Sequence, residues 1–462
     1  MHNSAEVRSQ KSEGRMNPPV PPFEKGGLRG IFALLAVLLF TASCLLFTAP
    51  AFAEELSLQE LIDEALKNNH EILMLEARES VSKFKIPQAE SLPDPMFMFG
   101  YLNDGVRDLY TFDEEMAADS QWMFSVSQMF PYPGKLSLKS GMASRDAESI
   151  KASLDAARLR VAARVKELYY ELFLTYKSID LVKDMSALFS RIEEAALARY
   201  STGMAPQQEV LMAQTEKYML LEKEEMFVQK VQSLEAMINS TLGRDGGITL
   251  GRPVELLPKE YNYSIEELLK ATYETSPEIK VKDRMLAGAE TKVEMAKKEY
   301  YPDFTVSANY FAKNKYFEDM WGLTATVNIP IFYKTKQRQA VLEAEASLSG
   351  TKHELDDIKY MLSSNIRDNY SMLKSAEKLM YLYKNGLRPK TYQSFESAIA
   401  GYRTGNVEAI TVITTLKSLI DYELLYWKQF IEREKAIARL EALTTVGAYR
   451  DTPLSSQGAN ER

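Results

Sequence analysis

"ARYSTGMAPQQEVL" at 198–211 and "AGYRTGNVEAITVI" at 400–413 are two versions of one stretch. Each carries an aromatic-x-Thr-Gly core, Tyr200–Gly203 and Tyr402–Gly405, between long helical patterns. Glycine just past a helix end takes the left-handed conformation without a Cβ penalty, so each stretch reads as a helix C-cap and a reversal. Working outward, "LSLQELIDEALKNNHEI" (56–72) pairs with "YSIEELLKATYETSPEI" (263–279), and "LPDPMFMFGY" (92–101) with "YPDFTVSANY" (301–310). "VSQMFPYPGK" (126–135) pairs with "VNIPIFYKTK" (327–336), and "VKELYYEL" (165–172) with "IRDNYSML" (366–373). The glycines close the series at an offset of 405 − 203 = 202. The turn occurs twice because the whole fold unit occurs twice.

Each unit reads as helix, strand, strand, very long helix, glycine turn, helix. The first helices are expected at N-caps Ser57 and Ser264, with Glu60 and Glu267 at capping-box spacing. Both are interrupted, at "NNHEI" and "TSPEI", where Pro277 suits the first turn of a renewed helix. Segments 96–101, 121–128, 304–311 and 321–329 alternate with period two, as half-buried strands do. An aromatic-rich face opposite a small-polar face suits an outer-membrane barrel, and equally a sheet on a soluble core.

From Lys135 to Tyr200 there is no proline, and Gly141 is the one glycine. Val165, Leu168, Leu172, Ile179, Val182 and Phe189 keep a coiled-coil seam, with Thr175 and Ser186 as polar gaps. This helix would reach roughly 100 Å, too long for a compact domain and suited to a tube or stalk. A second stripe, Tyr169, Phe173, Tyr176, Leu188 and Ile192, implies packing on two neighbours. The second long helix, Lys336 to Tyr402, has its spacing broken near "KNGLRP" (384–389).

The chain has 462 residues, 45% hydrophobic and 26% charged, enough to bury a core. Acidic residues outnumber basic ones, 64 to 56, which argues against a general nucleic-acid binder. The single cysteine, Cys44, excludes an internal disulfide, and the three histidines show no metal-ligand spacing. No metal or cofactor site is expected. No phosphate loop or nucleophile–base set is evident, so an enzyme is not expected either.

Arg29, the apolar run Ile31 to Phe47 and Ala51-Phe52-Ala53 read as a signal peptide, with a mature chain from Glu54. The alternatives are an uncleaved membrane anchor and lipid attachment at Cys44, whose preceding Thr41-Ala42-Ser43 lacks the usual lipobox leucine.

On the tandem repeat, the "N-x-E-I" and "S-P-E-I" restarts, "RYSTGMAPQQEVLMAQ" (199–214) and "GYRTGNVEAITVITTLKSLIDYE" (401–423), the chain resembles the outer-membrane efflux protein family, the TolC-type channels. The resemblance covers about 56–445. It implies a mostly α fold with a membrane β part: a homotrimeric 12-stranded β-barrel continued by a long periplasmic α-helical barrel. Barrel arithmetic agrees, since four strands close nothing, and three chains give a barrel wide enough for water.

The implied organisation is a signal and upstream segment 1–53, a first repeat 54–242, a linker 243–262, a second repeat 263–445 and a tail 446–462. The family implies an outer-membrane exit duct of a tripartite pump, in contact with outer-membrane lipid. Its expected partners are a periplasmic adaptor (membrane fusion) protein and an inner-membrane RND-type pump. Tyr200, Thr202, Gly203, Tyr402, Thr404 and Gly405 would form the periplasmic tips that dock the adaptor. Family gates carry an acid six residues after each tip glycine; here that is Glu209 and, in the second repeat, Thr411, with Thr414 one turn later.

"FPYPGK" (130–135) and the short tail lie closer to heavy-metal members, and Met96, Met98, Met116, Met123 and Met129 suggest soft-metal contacts. Methionine also serves packing and lipid-facing bulk. Drug efflux and type I secretion ducts of the same family are the alternatives, followed by a periplasmic coiled-coil scaffold.

Overall fold

The computed structural model describes residues 56–103, 120–258, 260–313 and 317–446. The expected signal segment, the Glu54 start, Cys44, Met116 and the tail from 447 lie outside the described residues. The first repeat runs α1 (Leu58–Asn68), α2 (His70–Glu90), β1 (Met96–Leu102), β2 (Gln121–Phe130), α3 (Lys135–Ser201) and α4 (Gln207–Leu242). The second runs α5 (Ile265–Thr275), α6 (Pro277–Lys298), β3 (Phe304–Ala312), β4 (Met320–Val327), α7 (Gln337–Leu382), a π-turn (Tyr383–Leu387), α8 (Arg388–Arg403) and α9 (Ala409–Thr444).

The restarts have local causes. Asn69 leaves the helical region and its side chain accepts from the backbone N–H groups of Glu71 and Ile72. Pro277 opens α6, where its missing N–H costs nothing. The capping box forms at Ser264 with Glu267, whose carboxyl is held below its ordinary value by the Ser264 backbone N–H. The one expected at Ser57 does not form. There the backbone is fixed by tertiary bonds instead: Leu56 N donates to Arg252 O at 3.0 Å, and Leu56 O accepts from Tyr169 Oη at 2.9 Å. The same Tyr169 hydroxyl accepts from Val254 N, so one side chain on α3 ties the linker to the start of the first repeat.

The strands form one antiparallel sheet in the order β1-β2-β3-β4. β4 stops at Val327, short of Ile329, because Pro330 brings no N–H to a ladder. Direct cross-strand partners share a face. Phe99↔Phe124↔Tyr310↔Trp321 crosses one face, and Met98↔Ser125↔Asn309↔Gly322 the other. The first face is aromatic and aliphatic with Gln128 as its exception; the second is rich in Ser, Thr and Met.

Below the sheet, Lys135 Nζ is buried against Asp303 Oδ1 (2.9 Å), Glu299 Oε2 (3.4 Å) and Tyr301 O (3.1 Å). Asp303 also accepts from Tyr132 N at 2.7 Å, and the Tyr132 and Tyr301 rings stack. This clamp fixes how β2 passes into α3.

Helix α3 has 67 residues and is therefore roughly 100 Å long. Its seam is the core, with Val165, Leu172 and Phe189 fully buried. The second stripe is also turned inward, since α3 packs against α2, α4, α6 and α9. Among the described residues no helix is apolar enough to cross a membrane.

The repeat offset explains the π-turn. It is 336 − 135 = 201 at the lysines that end the strand-to-helix segments and still 366 − 165 = 201 within the long helices, but 202 at the glycines. One residue has been added between 373 and 405, and the π-turn at Tyr383–Leu387 lies in that interval. A π-turn holds one extra residue without rotating the helix beyond it.

Candidate functional site

Two helical hairpins, α3–α4 and α8–α9, end side by side at the pole remote from the sheet. Each chain reversal is a Schellman turn. Gly203 N donates to Tyr200 O and Met204 N to Arg199 O; Gly405 N donates to Tyr402 O and Asn406 N to Gly401 O. The glycines have φ of +74° and +79°, and a Cβ on either would meet nothing within 4 Å. Their requirement is conformational, not steric. The Thr of each motif spends its hydroxyl on the last turn: Thr202 donates to Ala198 O and Arg199 O, and Thr404 to Gly401 O.

The two tips are held together by a single constellation. Tyr402 Oη donates to Glu209 Oε2 at 3.0 Å. Arg199 stacks its guanidinium 4.5 Å from the centre of the Tyr402 ring and donates to Tyr402 O at 3.0 Å. Burial, and then the Glu209 carboxylate, push the Tyr402 hydroxyl up to about 12, so it remains a donor at any physiological pH. About two helical turns further along α4 from Glu209, Lys417 Nζ meets Glu216 at 2.8 Å. Val412, Ile413 and Leu416 from α9 fill the space beneath, against Phe189, Ile192 and Ala213.

Tyr402 is only 1% exposed and so presents no ring for docking, contrary to its expected place on the tip surface. Its repeat counterpart Tyr200 is 44% exposed. Thr202, Gly203, Thr404 and Gly405 are exposed as well. Thr411 and Thr414 are exposed on the first turns of α9, apart from Glu209, which is half-buried under Tyr402. Arg199 is the residue the sequence reading missed. The signal was present in the repeat, where Arg199 aligns with Gly401, a position whose Cβ would meet Val407 Cγ2 at 2.5 Å. No group of three or more His, Cys, Asp and Glu among the described residues is placed to hold a metal ion.

No family model matches this sequence, and no curated protein matches it. Solved structures do. The outer-membrane channel OprN superposes with a TM-score of 0.73 at 13% identity, over 85% of this chain and 90% of that one. The outer membrane protein VceC of Vibrio cholerae gives 0.72 at 18%, over 84% and 96%. CusC, described for its folding and transmembrane channel formation, gives 0.72 at 14%, over 85% and 92%. Nearly the whole length of each is superposed, and at these low identities the likeness shows a shared fold.

Proposed function

We propose that this chain, which has the fold of outer-membrane channels, is one subunit of a trimeric exit duct of a tripartite efflux pump. Its β part lies in the outer membrane and its helices descend through the periplasm. The observation that carries this reading is the four-stranded sheet, open at both edges among the described residues, mounted on the roughly 100 Å helix α3 and its repeat counterpart. Unpaired strand edges are not tolerated in hydrocarbon, so such a sheet spans a bilayer only by closing with other copies. A periplasmic scaffold would explain the helices and leave the two-faced sheet without a purpose. The duct is passive, and its cargo is a small solute driven by an inner-membrane pump of the RND type.

The internal repeat supports one register for the closure. Within one chain β2 meets β3 with Val126 opposite Ala308. β4 corresponds to β2 at 327 − 126 = 201, and β1 to β3 at 308 − 99 = 209. Hence Val327 is to lie opposite Phe99 of the partner subunit, and Thr326 opposite Gly100 of the partner subunit. The faces agree, apolar on apolar and small on small. The clamp maps in the same way: Lys336 takes the place of Lys135, and Glu90 and Asp94 those of Glu299 and Asp303. Lys336, Glu90 and Asp94 are unburied in the single chain. Lys336 is therefore to pair with Asp94 of the partner subunit.

At the other pole, Tyr200, Thr202, Gly203, Thr404 and Gly405 form the surface offered to the periplasmic adaptor. Glu209 is the acid of the entrance, held by Tyr402, and Thr411 and Thr414 supply hydroxyls where a second acid is absent. Light scattering of the detergent-solubilised protein tests the reading. A trimer is expected, and a stable folded monomer or dimer would defeat it.

A further inference from the structure

The sheet register separates the methionines in a way that the sequence left open. All five methionines of the four strands, Met96, Met98, Met123, Met129 and Met320, share the face of Ser125, Ser127, Thr305 and Asn309. None lies on the aromatic face. If methionine served lipid-facing bulk, it would stand with Phe97, Phe99 and Trp122; instead it interrupts a hydroxyl-lined surface.

The placement also pairs them. Met98 faces Ser125 and Met96 faces Ser127, so Met123 and Met129 are their respective diagonal neighbours. Diagonal Cβ atoms on an antiparallel pair are about 7–8 Å apart, within reach of long side chains. Gly100, directly opposite Met123, leaves the space that the Met123 side chain takes: its methyl carbon is 3.4 Å from where a Gly100 Cβ would sit. Thioether sulfur is a soft, neutral donor that selects Cu(I)-like ions over Mg(II), Ca(II) or Zn(II). Nothing charged stands on this face among the strand residues, so contacts there are weak and exchange freely, as a conducting pathway requires.

We propose that the Met/Ser/Thr face lines the lumen of the duct and gives soft monovalent metal cations paired thioether contacts as they leave. This rests on the barrel reading above and assigns the aromatic face, whose Phe97, Phe99, Trp321 and Leu323 are exposed, to lipid. It names the cargo class of that same duct: a d10 monovalent cation, with Ag(I) as the convenient probe.

The test is single-trimer potassium nitrate conductance in a planar bilayer, titrated with silver nitrate in a Cys44→Ser background. The combined Met96→Leu, Met98→Leu, Met123→Leu and Met129→Leu variant keeps the lining apolar and removes the sulfurs. Each protein is compared with its own silver-free conductance. The silver concentration that halves conductance is expected to rise at least about tenfold in the variant. It should stay unchanged in Met226→Leu and Met361→Leu, on exposed helix positions. If the combined variant does not trimerise, methyl-labelled methionine spectra of the unaltered trimer are read instead. There silver is expected to shift the strand methionine signals and not those of Met226 or Met361. A conducting trimer with equal silver sensitivity in both forms, or with unshifted strand methionines, overturns the cargo assignment and leaves the duct standing. A wild-type protein that forms no conducting trimer removes both.

Discussion

Tyr402 joins the hairpin tips through its hydroxyl, its ring and its carbonyl, engaging Glu209 and Arg199 at once. A hydrogen bond to a charged acceptor contributes about 1.5–3 kcal/mol, and Tyr402→Phe removes only that. Faster amide exchange at residues 200–209 is expected, with the trimer retained and the melting temperature lowered by no more than a few degrees. Glu209→Gln should leave assembly intact and lower cation preference in bilayer conductance, while Lys151→Ala, exposed on α3, does nothing. The tip glycines pose a different demand. Gly203→Val forces a branched side chain into the left-handed region at a cost of about 1–2 kcal/mol, yet meets no neighbour. The variant should insert and trimerise while failing to support efflux; loss of membrane insertion would instead place the turn in the folding core. The repeat motif made Tyr200 and Tyr402 look alike. Their opposite fates are set by the side-by-side packing of two hairpins, which no local pattern encodes.

Long elements were the most legible. The 67-residue helix matches its sequence reading to within a residue, because proline-free apolar spacing allows little else. The capping box at Ser264 was equally readable, whereas the same spacing at Ser57 was overruled by backbone bonds from a linker far along the chain. "KNGLRP" was visible as a break; only the helix geometry identifies it as one surplus residue held in a π-turn. Deleting Gly386 should therefore convert the π-turn to α-helix and leave the melting temperature within a few degrees. Deleting Ser178 from the uninterrupted α3 should rotate everything beyond it by about 100° and abolish the tip contacts. A circular dichroism melt and amide exchange on both deletions distinguish these outcomes.

Ion pairs between these helices carry a pH signature. Burial alone would raise the Glu171 carboxyl, but Lys435 at 2.7 Å and Lys230 together hold it below its ordinary value of 4.5. A lowered carboxyl stabilises the fold above that value and loses its contribution as pH falls through the folded-state value. The melting temperature should decline below about pH 4.5, and Glu171→Gln should flatten that acid limb.

For the whole molecule, the decisive measurement is the register between chains. Thr326→Cys with Gly100→Cys, in a Cys44→Ser background, should oxidise to a covalent trimer ladder, and Thr324→Cys with Gly100→Cys should not. Lys336→Asp should weaken the trimer, and adding Asp94→Lys should restore it. The reverse pattern of cross-linking would mean a shifted register with the trimer retained. For the trimeric outer-membrane duct proposed above, the two strand edges left bare among the described residues also dictate an order of events in biogenesis. Each unpaired N–H or C=O facing hydrocarbon costs several kcal/mol, so a lone newly exported chain has no route into the bilayer. Three copies must meet first, which makes insertion steeply dependent on export rate. A cell producing the protein slowly would accumulate unassembled chains in the periplasm, exposed to proteases, long before it accumulated ducts.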